Sequence, residues 1–140
     1  MSRSDLQHRS FRLSKVLLER LRRHSTTQQA SQTLLVERYI AEGIAMDSYP
    51  MIIFRDGPVG RRAMLEGTRL DVAQVVETIH NEGGSIERAA AYLSLTPVQV
   101  RACVRYFADH RDEVVDYAER IGAENARLRA AWEREQAVFV

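Results

Sequence analysis

Small or basic side chains alternate with large apolar ones in Ser10-Phe11-Arg12-Leu13-Ser14. A period of two belongs to a β-strand, whose successive side chains face opposite ways. Phe11 and Leu13 then share an apolar face, and Ser10, Arg12 and Ser14 share a polar one. The stretch is short and the period turns helical directly after it, so nothing nearby in the chain pairs its backbone N–H and C=O groups. A second copy of the chain would supply that pairing. Two antiparallel copies make a two-stranded ribbon with Phe11 and Leu13 packed down and the three polar side chains doubled by symmetry. A ribbon of that width enters the major groove of DNA.

Residues suited to catalysis are sparse by comparison. His8, His24, His80 and His110 stand apart and lack the i, i+4 spacing of a helical metal pair. Cys103, between Val100 and Val104, reads as a core thiol. The glycines of "DGPVGRR" do not lead into a helix as a phosphate loop must. Asp112 and Glu113 lie in a highly charged stretch and read as a solvated face. The expectation is a protein that is not an enzyme and needs no metal or cofactor.

The bulk properties agree. The 140 residues suffice for one domain or two small ones, and 45% hydrophobic with 28% charged residues suits a soluble chain. No apolar run reaches the roughly 18 residues a transmembrane helix needs, and "MSRSDLQHRS" lacks the apolar core of a signal peptide. A lone cysteine fits a reducing compartment, so the expected location is the cytoplasm, with no membrane partner. The net charge of +1 hides an asymmetry: residues 1–45 carry eight Lys/Arg against four Asp/Glu, the rest twelve against fifteen. A basic part and an acidic part suit different partners.

The elements that would position these residues are mainly helical. Ser14 is a good N-cap for a helix from Lys15 carrying Val16, Leu17, Leu18 and Leu21 on one stripe. "HSTTQQAS" (24–31) breaks the stripe. Ser31 caps a second helix with Leu35, Val36, Tyr39, Ile40 and Ile44 on one side, ended by Gly43 and "MDSYP". Pro50, Gly57, Pro58 and Gly60 mark a boundary, with "MIIF" (51–54) a short strand inside it. Further helices begin after Asp71 and at Ser85. A third has Thr96 as cap and Pro97 at its first position. Residues 112–136 form a charged helix in which Ala118, Ile121, Asn125, Leu128 and Trp132 alternate at spacings of three and four, a heptad seam about two repeats long. The domains expected are 1–46, a linker with a short strand at 47–62, a helical module at 63–111, and a partner-binding helix and tail at 112–140.

Two stretches resemble known families. Residues 9–46, through "FRLSKVLLERL" and "SQTLLVERYIAEGI", resemble a ribbon-helix-helix DNA-binding domain, the fold of many small repressors and bacterial antitoxins. The resemblance implies a homodimer, or a higher assembly of dimers, whose core holds Phe11, Leu13, Leu17, Leu21, Leu35 and Ile40. It implies that Ser10, Arg12 and Ser14 read bases and that the start of the second helix, Ser31, Gln32 and Thr33, holds a phosphate. The family usually has glycine in the turn between the helices, where this chain has Gln28-Gln29. The physical chemistry is consistent. The arginine fork can bond guanine O6 and N7, worth about 1–3 kcal/mol of discrimination. Helix N-termini favour phosphate. Arg9, Lys15, Arg20, Arg22 and Arg23 add a basic surround.

Residues 51–110 are similar to the family catalogued as domain of unknown function 433, through the "GTR-hydrophobic-x-V" core at Gly67–Val72 and the run "SIERAAAYLSLTPVQV". The prolines that usually flank the core are replaced by Ala63 and Asp71. That resemblance implies a small helix-turn-helix-like bundle and, from the family's usual gene neighbours, an antitoxin paired with a PIN-like nuclease toxin. Arg101 and Arg105, one turn apart, could contact DNA or pair with Asp109 and Glu113. In antitoxins resembling this chain a C-terminal segment covers the toxin's active site. Here Ile121, Leu128, Trp132 and Phe139 offer apolar contacts, and Arg127, Arg129 and Arg134 could meet the acidic Mg²⁺ cluster of such a nuclease. The same helix could instead pack on its own domain or self-associate through Asn125. The expected function is an antitoxin that represses its own operator as a dimer and neutralises a toxin. The alternative is a stand-alone repressor.

Overall fold

The computed structural model describes residues 5–140. It is mainly helical, with six helices and one two-stranded antiparallel sheet among the described residues. Among the described residues no helix is long and apolar enough to cross a membrane. The chain divides into two compact units, one up to Ala41 and one from Glu42 onward.

The first unit has an N-terminal arm, then α1 (Lys15–Gln28) and the beginning of α2 (Gln32–Ser48). Residues 10–14 pair with no strand among the described residues, so the strand expected there is not formed within them. Ser14 is extended and its hydroxyl accepts the Leu17 N–H at 3.1 Å, which starts α1 as expected. The break expected at 24–31 comes late, because α1 runs on to Gln28. The hydroxyls of Thr26 and Thr27 satisfy themselves within the helix, on the carbonyls of Arg22 and Arg23. Gln29 then takes the left-handed conformation (φ 52°) in the turn where glycine was the expected residue. Ser31 accepts the Leu34 N–H at 3.1 Å and so caps α2. Gly43 does not stop α2, which continues to Ser48.

The second unit is a hairpin, β1 (Ile52–Gly57) and β2 (Gly60–Leu65), followed by α3 (Val72–Asn81), α4 (Ile86–Leu93), α5 (Pro97–Asp109) and α6 (Arg111–Ala137). Residues 47–62 are therefore not a linker. They supply β1 and half of β2, in a register that pairs Ile52 with Leu65 and Gly57 with Gly60. Ile52, Leu65, Val72, Val75, Val100, Cys103 and Tyr106 form the core, with Ala90 and Val114 beside them. Burial pushes the Cys103 thiol up to about 12, so it stays protonated and packs as an apolar group.

Local chemistry fixes the helix starts. Asp71, where a proline was expected, instead closes a capping box with Gln74 and accepts an ion-pair bond from Arg62 at 2.8 Å. Thr68 holds the turn before it, donating to the Leu65 carbonyl at 2.8 Å and accepting from the Leu70 N–H at 3.0 Å. Ser85 caps α4, and Thr96 with Gln99 closes a second capping box at α5, where Pro97 takes the first position. The α5–α6 junction is packed by aromatic contacts. His110 stacks on Tyr106 at 4.3 Å, and the Tyr106 hydroxyl donates to Glu113 at 2.8 Å.

Gly57 sits where α6 meets the hairpin. A Cβ there would collide with the Tyr117 hydroxyl and stand 2.8 Å from Arg62 Nε. Tyr117 is buried and has little room to move. Gly57→Ala is expected to cost about 1–3 kcal/mol in urea unfolding, and less in a Tyr117→Phe background, where the colliding oxygen is gone. An equal loss in both backgrounds would show that the close approach is not the cause.

Candidate nucleic-acid interface

The arm and α1 leave an unusually apolar surface open. Phe11 is 73% exposed, and Leu13, Val16, Leu17, Leu18 and Ile40 are all exposed too. Helix α1 buries no residue. These side chains surround an open groove of about 790 Å³, lined by Phe11, Leu13, Leu17, Leu21, Tyr39 and Ile40 among others. Of the residues expected in a dimer core, only Leu35 is buried within one chain. Leu21 is half-buried, and Phe11, Leu13, Leu17 and Ile40 remain exposed.

The polar residues of the arm are exposed as well. Ser10, Arg12 and Ser14 are exposed, and Arg12 is among the residues that line the groove beside Phe11 and Leu13. Ser14 spends its hydroxyl on the α1 cap.

The residues expected to hold phosphate are exposed, and some of their polar groups are already used within the chain. Gln32 and Thr33 lie exposed in the first turn of α2, where a helix has no internal acceptor for its amides. The Ser31 hydroxyl is used by Leu34. Arg9 and Lys15 are exposed. The basic surround is smaller than expected. Arg22 and Arg23 both bind Glu19, at 2.6 and 3.0 Å, and these bonds hold the Glu19 carboxyl below its ordinary range. Arg9, Arg12, Lys15 and Arg20 form no ion pair among the described residues.

Two further surfaces were expected to bind partners. On α5, Arg105 is exposed, and Arg101 pairs with Glu87 of α4 at 3.5 Å. The expected partners of these arginines are engaged elsewhere: Asp109 accepts from the Tyr49 hydroxyl at 2.6 Å and Glu113 from Tyr106. On α6, Val114 and Tyr117 are buried, Ile121 is half-buried, and Leu128 and Trp132 are exposed, as is Phe139 just past the helix end. Arg127 is bound to Glu124 at 2.5 Å, and Arg134 is exposed in the last turn. Among the described residues no three of His, Cys, Asp and Glu gather as a metal site requires.

The exposure of Phe11 decides between two states. A side chain that stays at the surface can be truncated within about 0.5 kcal/mol, whereas burying it between two copies makes truncation cost several kcal/mol. Phe11→Ala is expected to raise the dimer Kd at least about tenfold, or 1.4 kcal/mol, in a dilution titration. An unchanged Kd would mean that the arm is not in the interface. No protein-family model, no curated protein and no solved structure matches this chain.

Proposed function

We propose that this chain is a ribbon-helix-helix-type regulator that binds operator DNA as a homodimer. The observation that carries the reading is the pairing, on one short arm, of apolar side chains that a single chain leaves in water with an arginine that has no ion partner among the described residues. A second copy supplies the missing strand, restores the pleat, and turns Arg12 away from Phe11 and Leu13 toward the groove of the duplex. The amides of Gln32 and Thr33 at the start of α2 then take a phosphate, with Arg9 and Lys15 on flanking phosphates. Two-fold symmetry calls for a palindromic site.

The antitoxin reading adds a PIN-like nuclease as a second partner. It is favoured by the exposed apolar side chains of Leu128 and Trp132 on α6 and of Phe139 just after it. A stand-alone repressor lacks such a partner, and co-purification with the product of the neighbouring gene separates the two.

The DNA-binding test is a gel shift on the promoter of the chain's own gene. Arg12→Ala is expected to weaken specific binding by about 10-fold or more, from the 1–3 kcal/mol that a bidentate base contact contributes, while binding to random DNA changes little. Lys15→Ala is expected to weaken both alike and to flatten the salt dependence. Equal losses on promoter and random DNA for Arg12→Ala would reduce its role to a phosphate contact.

A further inference from the structure

The seam on α6 has the wrong company for a surface helix. Val114 and Tyr117 anchor the first turns in the second unit, and beyond them the helix carries on for about five turns, its apolar stripe half-buried at Ile121 and exposed at Leu128 and Trp132. Leu128 is 51% and Trp132 59% exposed. In heptad terms Ala118, Asn125 and Trp132 fall at a, and Ile121 and Leu128 at d.

Charge and polarity at this seam discriminate among occupants. We infer that α6 pairs with α6 of a second copy of this chain, parallel and in register, over residues 118–135. Three features support this choice over a nuclease surface. A single asparagine at an a position, here Asn125, is the device by which parallel two-stranded coils fix register and strand number, because each can bond its equivalent across the interface. Leucine at the following d position suits two strands. Glu124 falls at g and Arg129 five residues on at e, so in a parallel pair Glu124 faces the partner's Arg129, twice by symmetry. An antiparallel pair would instead set g beside g and e beside e, losing that complementarity. In the single chain Glu124 bonds Arg127 one turn away, and pairing would offer it a second cation. Residues 124 and 129 lie on different sides of one helix and do not meet within a chain.

The inference does not depend on DNA binding, and cysteine cross-linking in the full-length chain tests it. The native Cys103 is fully buried and does not compete. Leu128→Cys at d and, separately, Asn125→Cys at a should each form a disulfide with the same residue of a second copy on mild oxidation. Arg127→Cys, on the outward side of the helix, should not. Adding Glu124→Arg to Leu128→Cys should slow cross-linking at least about fivefold, and adding Arg129→Glu as well should restore it. Helix propensity alone predicts no such rescue, since both changes leave Arg127 beside a like charge. Cross-linking at 125 and 128 no faster than at 127, or no rescue by the double charge swap, would overturn the pairing. Cross-linking that persists in a Phe11→Ala background would show that it stands apart from the N-terminal arm.

Discussion

Apolar side chains left in water by one copy of the chain are the constraint from which the N-terminal unit's behaviour follows. Burying a side chain such as Phe11 or Leu17 contributes about 1.5–3 kcal/mol. Phe11, Leu13, Val16, Leu17, Leu18 and Ile40 are all exposed, and α1 buries nothing. An apolar face of that extent is the kind that marks an interaction surface. The arm adds a second deficit, because its backbone pairs with no strand among the described residues. On the proposed reading a second copy would remove both deficits at once, and the same pairing would order Arg12 and fix the spacing of the two copies of it.

The second unit has its own core, which runs from Ala45 to Val114. Several of its polar groups are matched to partners, Asp71 to Arg62 and Gln74, Tyr106 to Glu113 and Glu42 to Arg61, while the buried Tyr117 hydroxyl and Arg62 Nε have none among the described residues. Breaking one member of such a pair costs more than the pair itself contributes, since the other is left buried and unpaired. These bonds join hairpin to helix and helix to helix, and they hold the base of α6 while its distal half projects an exposed stripe. Function on this account lies on the surfaces that the packing leaves unmatched, the arm and the α6 seam.

Much of this was legible in the sequence where the signal was local. Ser14, Ser31, Ser85 and Thr96 cap helices because a short hydroxyl next to a helical period meets free amides within three residues. The heptad seam and the long final helix follow from spacing alone. The second strand, Gly60–Leu65, was not legible, because "GRRAML" shows no alternation and its Arg62 faces inward to Asp71, nine residues on. Asp71 was read as a stand-in for proline, whereas it makes the helix cap and the ion pair together. At the candidate site the residue types were legible and their directions were not. On the proposed pairing a neighbouring strand would set which way Arg12 points, and none adjoins it among the described residues.

The central claim is that residues 10–14 pair with the same residues of a second copy. Amide hydrogen exchange in the full-length chain, followed over a range of protein concentrations, tests it most directly. The account predicts that alternate amides of this stretch exchange slowly when the chain is concentrated and lose that protection on dilution. Fast exchange of all of them at every concentration would contradict it.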